Sequence, residues 1–271
     1  MDPPPLHYYV MRIQFLGFRY HGWQHQPGVQ TVEGMLRKTV RFILPGRTFR
    51  ILGAGRTDAR VSSEDFALQL MIKDGPEPDL DLLREDLTKN LPPDIRLVEI
   101  YPVAQSFNVI RDCRQKTYRY LFAYGAPCHP YCSPFLGFFR EELDLVSMQE
   151  AAPLFEGTHC FEAFTAGEAN AKRKLTRTVE KSRILPNTFI KASFMPPKTY
   201  AFEITASGFG RHQVRLMMAA LVDVGRGVIG REVLSGVLEG KSDWKPTHIT
   251  PASGLHLCET RFDPITKNPK L

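Results

Sequence analysis

Apolar and polar residues alternate near the start of the chain: Met11, Ile13 and Phe15 fall on one side, Arg12 and Gln14 on the other, as in a strand with one buried face. Behind Thr31, whose hydroxyl can cap a helix, Val32, Leu36 and Val40 recur at helical spacing and predict one. A short apolar stretch at Ile51-Leu52, a glycine-containing loop and a strand over 66–72 follow. The next helix, over 80–87, is stopped by Pro92-Pro93, and a strand over 96–101 comes after it. The order is βαββαβ.

The second half repeats that order with longer connections. A strand over 117–122 carries Tyr118, Tyr120 and Phe122 on one face, and a helix over 147–155 opens on the capping box Ser147-x-x-Glu150. Strands over 175–184 and 200–206, a helix over 212–224 and a closing strand over 255–262 complete it. The pattern predicts an α+β protein. Two ferredoxin-like, RRM-like βαββαβ subdomains, 1–104 and 105–271, would form a largely antiparallel sheet with helices on one face. Residues 124–145, with Pro127, Pro130 and Pro134, read as an insertion, and 165–174 as a polar, basic loop. An open sheet face of this kind supports shape-based recognition of RNA, but function has to come from a site.

Composition narrows the class. The chain has 271 residues, 43% hydrophobic and 24% charged, which suits two ordered lobes and argues against extensive disorder. Lys+Arg number 35 against 29 Asp+Glu, and the resulting +6 favours an acidic partner such as nucleic acid. Five cysteines follow an N-terminus, Met-Asp-Pro-Pro-Pro, that lacks the basic and apolar regions of a signal peptide. They read as reduced thiols of a cytoplasmic protein. The longest helical apolar run, 216–222, is far short of the ~20 residues of a membrane span, so no membrane is expected. Cys128-His129-Pro130-Tyr131-Cys132 offers two thiols and an imidazole, but neither His159 nor Cys160 stands at diagnostic spacing, and no metal is expected. The glycine-rich phosphate loops and the His-Glu-x-x-His helix are missing, which removes the usual signals of nucleotide hydrolysis, dinucleotide redox chemistry and zinc proteolysis.

The chemistry-bearing stretch is Gly53-Ala54-Gly55-Arg56-Thr57-Asp58-Ala59, a small-residue turn that presents a cation and a carboxylate two residues apart. Such a pair is either a solvated loop pair or a catalytic carboxylate. Within the helix that follows Gln213, apolar at Val214, Met217, Met218, Leu221, Val222 and Val224, Arg215 needs an anionic partner. Asp58, another acid or a phosphate would serve. In Lys116-Thr117-Tyr118-Arg119-Tyr120 the aromatics alternate with cations, which fits either sheet core or a surface that stacks on bases and meets phosphates.

In chain order, Tyr20-His21-Gly22-Trp23-Gln24 with Thr31-Val32-Glu33, Gly55-Arg56-Thr57-Asp58-Ala59, Lys116-Thr117-Tyr118-Arg119-Tyr120, Arg177-Thr178, Gly210-Arg211-His212-Gln213-Val214-Arg215 and Gly254-Leu255-His256-Leu257 resemble the TruA-type tRNA pseudouridine synthases. The resemblance covers nearly the whole chain. It implies the pseudouridine synthase fold, a homodimer, and conversion of uridine to pseudouridine in the tRNA anticodon stem-loop without cofactor or metal. Asp58 matches the family's catalytic aspartate, which attacks the sugar or the base ring. Arg56 matches the arginine that helps displace the target nucleotide and fills its gap, Tyr118 the tyrosine that stacks on the flipped uracil, and Arg215 the arginine that pairs with the aspartate. Leu255 would add a nonpolar wall that excludes water. Arg56, Arg60, Lys116, Arg119, Lys172, Arg173, Lys174, Arg211, His212 and Arg215 lie in or beside these motifs. With acids gathered at Glu85-Asp86 and Glu141-Glu142, they predict a positively charged, RNA-binding cleft.

The chain departs from the family pattern at several points. The usual Asp-Ala-Gly-Val-His-Ala reads Asp58-Ala59-Arg60-Val61-Ser62-Ser63 here; Ile110 stands where an arginine is usual, and Cys160 where an aspartate is usual. If the missing glycine sits at positive φ, Arg60 carries strain unless phosphate contact offsets it. The departures keep two competing functions in view: a catalytically weak tRNA-binding or folding protein, and an N-glycosidase that releases uracil.

Overall fold

In the computed structural model, which describes residues 6–167 and 175–263, the opening alternation becomes β1 (Leu6–Phe15), with Met11, Ile13 and Phe15 buried. Then follow α1 (Val32–Ile43), β2 (Thr48–Gly53), β3 (Ser62–Lys73), α2 (Leu80–Asn90), β4 (Ile95–Pro102), β5 (Cys113–Tyr124), β6 (Gly137–Phe139), α3 (Leu145–Ala151), β7 (Gly157–Cys160), β8 (Thr176–Pro186), β9 (Tyr200–Ala206), α4 (Gln213–Gly225), α5 (Arg231–Leu238) and β10 (Leu255–Phe262). The chain groups into two units: residues through Arg114 together with those from Leu257 onward, and Gln115–His256.

In the first unit β1 lies between β3 and β4, antiparallel to both. The other edge of β3 carries β2 along its second half and, along its first, β10. Hydrogen bonds fasten β10 there: Ser63 Oγ donates to Leu257 O (2.9 Å), and Thr260 gives its N–H to the Asp65 carboxylate (3.0 Å) and its hydroxyl to Asp65 O (2.9 Å). Helix α1 begins as its sequence predicts. The Thr31 hydroxyl accepts the Gly34 N–H at 3.2 Å, and Val32, Leu36 and Val40 are wholly buried. Asp79 caps α2, which buries only Leu83 and Leu87 and so lies at the surface. Phe66 centres the core, with Phe15 edge-on at 5.7 Å and Trp23 stacked at 4.1 Å.

The second unit is an antiparallel sheet in the order β5-β9-β8-β7, with β6 parallel to the end of β5. Tyr120, Phe122, Phe202 and Ile204 form one buried face, with Phe155 and the nearly all-buried α4 in the same core. Cys132 and Leu136, from the proline-rich insertion, pack instead against Leu121, Ala123 and Ala201 on the alternate face.

Three features differ from the sequence expectation. Asp144, not Ser147, caps α3: its carboxylate accepts the Ser147 N–H (3.1 Å) and hydroxyl (2.6 Å). Helix α3 also stops at Ala151, because Pro153 has no N–H to continue the ladder, and a single 3-10 turn follows. Helix α5 and the short strands β6 and β7 are not in the sequence expectation, although Leu234, Val237 and Leu238 of α5 recur at helical spacing and are buried. No helix among the described residues is long and apolar enough to cross a membrane.

Candidate active site

Asp58 sits half-buried on the loop between β2 and β3. Backbone hydrogen bonds pin that loop on both sides of the carboxylate. Trp23 N–H donates to Thr57 O (3.1 Å) and Arg60 N–H to Tyr20 O (3.0 Å), while Val61 N–H closes the turn on Asp58 O (3.3 Å). Residues 20–25 are thus a brace, and the brace is itself anchored. Trp23 is buried on Phe66, and the buried Tyr20 donates its hydroxyl to Asp94 at 2.7 Å. Val32 N–H donates to Gly22 O (3.1 Å), and Glu33 accepts from His25 N–H (2.9 Å), Gln24 Nε2 (2.8 Å) and Arg37 Nε (2.8 Å). Gly22 makes the close approach possible. It lies at φ +89°, and a Cβ there would stand 2.6 Å from Thr57 O.

Arg56 and Arg60 flank Asp58 and are exposed. Arg60 has φ 68°, the left-handed conformation anticipated from the missing glycine, and its guanidinium lies over the Phe18 ring at 5.7 Å. Ser62, in place of the usual histidine, is buried and accepts the Gly17 N–H at 2.9 Å, which fastens the start of β3. The buried Thr57 hydroxyl has no hydrogen-bond partner among the described residues. An orphaned hydroxyl and a strained backbone within four residues are the kind of cost that collects at functional loops.

In the second unit Tyr118 lies on β5 opposite Ile204, half-buried, with Phe209 edge-on to its ring at 5.3 Å and 89°. Phe209 is a contributor not read from the sequence, where its place between Gly208 and Gly210, just before the cationic motif, is the signal for it. Arg119 points to the opposite face, stacked on Phe189 at 3.5 Å with its Nε donating to Glu203 at 2.9 Å. Arg183 and Lys181 join the same carboxylate, at 2.9 and 3.3 Å. Burial alone would raise the Glu203 pKa, but the hydrogen bonds from these three cations hold it below the ordinary glutamate value.

Gly210 N–H donates to Gln213 Oε1 (2.6 Å), and Ala166 N–H to Arg211 O (3.0 Å), leaving the Arg211 side chain exposed. His212, left-handed at φ 60°, turns the chain into α4. Arg215, the third residue of that helix, is half-buried, and its Nε donates to Thr250 O (2.8 Å) while the Thr250 hydroxyl donates back to Arg215 O (3.0 Å). Thr250 is a second contributor not read from the sequence. Lys116 is half-buried and Leu255 buried. His256 donates from Nε2 to Phe135 O (2.8 Å), and burial pushes its pKa below the usual imidazole value. Ile110 and Cys160 are exposed, and Cys132 donates its thiol to Phe194 O at 3.2 Å. Lys172, Arg173 and Lys174 lie outside the described residues.

The family model described as tRNA pseudouridine synthase matches residues 151–263. Proteins named tRNA pseudouridine synthase A align along almost their full length. The one from Thermodesulfovibrio yellowstonii is 30% identical over 253 residues, 91% of this chain and 96% of its own. That from Streptococcus mutans is 30% identical over 256 residues (94% and 98%), and that from Aquifex aeolicus 28% over 250 (92% and 97%). Similarity at 30% identity over more than nine tenths of the chain means that the protein belongs to the tRNA pseudouridine synthase family.

Proposed function

We propose that this chain converts uridine to pseudouridine in tRNA, within the anticodon stem-loop. The observation that carries the reading is the Asp58 carboxylate, held on a loop pinned on both sides in a chain of this family. The reaction exchanges the N1–C1′ bond of the nucleoside for a C5–C1′ bond. One proton leaves C5 and one is taken up at N1, so composition is unchanged and no group donor is consumed. A carboxylate nucleophile, attacking sugar or base ring, splits that exchange into two easier steps.

The other residues take their parts around the target nucleotide. Arg56 enters the space left when the base leaves the stack, and Tyr118, steadied by Phe209, stacks on the uracil; such contacts offset an unstacking cost of a few kcal/mol. The resemblance assigns Arg215 to pairing with the catalytic aspartate and Leu255 to a nonpolar wall that helps exclude water. Lys116, Arg211 and His212, with Arg173 and Lys174, meet the RNA backbone. Arg119, already engaged by Glu203 and Phe189, serves to support the strand that carries Tyr118. The reading includes a cytoplasmic location, which microscopy of the tagged protein checks, and a homodimer, which light scattering of the purified protein checks.

Asp58→Asn and Asp58→Ala test the assignment on tRNA whose uridines carry tritium at C5. Both variants are expected to release no tritium while binding tRNA with affinity within about threefold of wild type. Release at the wild-type rate from either variant rules out Asp58 as nucleophile. Free uracil in the wild-type reaction would indicate the glycosidase, and tRNA binding without tritium release the catalytically weak binder.

A further inference from the structure

Arg60 pays a conformational cost that its contacts within the protein do not explain. At φ 68° it occupies backbone space that glycine adopts freely and a side-chain-bearing residue only with strain. The backbone cannot relax, since its N–H is held by Tyr20 O and the next N–H by Asp58 O. A structural arginine would offset this strain by an ion pair or a hydrogen bond. Among the described residues the Arg60 guanidinium makes neither, and its one contact is the face of Phe18. A solvent-exposed cation–π contact of this kind is weak. Its effect is orientation, because a guanidinium laid on a ring keeps its donors in a fixed plane and loses less freedom when an anion arrives.

We propose that Arg60, laid on Phe18, binds a phosphate of the RNA backbone next to the nucleotide that Asp58 attacks. The inference rests on the function proposed above, which places RNA at this loop, and adds a phosphate subsite of this chain's own. Three observations converge on it: only Ala59 separates Arg60 from Asp58, the side chain is exposed and forms no ion pair with an acid among the described residues, and its donor fork matches a phosphate. Single-stranded RNA also offers bases that could stack on Phe18, but the ring face is taken by the guanidinium, so phosphate rather than base is the ligand.

Substitution at position 60 separates this role from a structural one, because stability and binding move in opposite directions. Arg60→Gly is expected to raise the urea midpoint and, at the same time, to weaken tRNA binding about tenfold at low salt. The slope of log K against log salt is expected to fall by about 0.7 to 0.9, the share of one phosphate. Arg60→Ala loses the same slope without gaining stability, and Arg60→Lys keeps the slope. Phe18→Ala weakens binding about twofold to fivefold with the slope retained, because the charge remains. In turnover, KM is expected to rise more than kcat falls. Wild-type affinity and slope in Arg60→Gly would overturn the proposal, as would an Arg60→Gly fold less stable than wild type. The two readings fail separately. Wild-type protein that releases no tritium from tRNA, with the slope change intact, defeats the isomerase and leaves the phosphate subsite; release with an unchanged slope does the reverse.

Discussion

Gly22→Ala tests whether the brace positions the Asp58 loop. A Cβ at Gly22 would lie 2.6 Å from Thr57 O, 3.1 Å from Asp58 C and 3.2 Å from Ala59 N, so the new methyl presses on the peptides either side of the Asp58 side chain. The shortest of these contacts falls about 0.8 Å short of ordinary van der Waals distance, and backbone, unlike a flexible side-chain end, has to move as a unit. At φ +89° the alanine also adopts a conformation that costs an L residue about 1–2 kcal/mol, and overpacking adds about 1–3 kcal/mol. Together these remove about 2–5 kcal/mol of stability, a large part of what a domain possesses. Because a displacement near 1 Å at a catalytic group costs on the order of a hundredfold, single-turnover tritium release should fall about 10- to 100-fold at temperatures where the variant is folded. Gly28→Ala is the control. It has φ +78° in the same connecting segment but nothing within 4 Å of its Cβ position, so it should lose only about 1 kcal/mol in urea denaturation and keep its rate. If Gly22→Ala kept the wild-type rate, or lost no more than Gly28→Ala, the brace would not be what holds Asp58.

Two further perturbations probe the second unit. Removing the edge-on ring with Phe209→Ala should forfeit about 1 kcal/mol of positioning at Tyr118 and lower kcat/KM about fivefold, with Phe209→Tyr close to wild type; unchanged kinetics would show that Tyr118 needs no such support. Glu203→Gln should cost about 2 kcal/mol at pH 7, less than a fully buried pair because Lys181 and Arg183 are partly exposed. The folded carboxyl titrates below its unfolded value, so its contribution is complete above the ordinary glutamate pKa and disappears as the pH falls through the depressed one. Urea midpoints of wild type and variant should therefore converge as the pH falls below the ordinary glutamate range, and a gap that stayed constant would refute the pairing.

Local patterns made much of this protein legible in advance. Period-2 alternation marked β1, the Thr31 cap and its apolar stripe marked α1, and the all-apolar stretch after Gln213 marked a buried helix, because each signal lies within a few turns of chain. Asp58 was legible from its motif, and the strain at Arg60 from the glycine missing there. Position 147 misled because Ser147 and Glu150 match the capping-box pattern, yet Asp144, three residues earlier, accepts both Ser147 donors and is the cap.

What the sequence determined by itself, then, was most of the order of the elements, a candidate carboxylate in Asp58 and the family. Only tertiary structure decided what holds each group in place. Tyr20 and Trp23 reach Thr57 and Arg60 through backbone atoms that any residue possesses, so no side-chain pattern announces the contact. Thr250 meets Arg215 across 35 residues of chain, and Arg119 turns from its expected RNA face to Glu203, 84 residues away, because strand pairing sets which neighbours share a face. The same physics returns β10 to the edge of β3, joining the last described strand to the first unit. Hydrogen bonds between segments distant in sequence depend on register and packing, which a local reading of residue types does not contain.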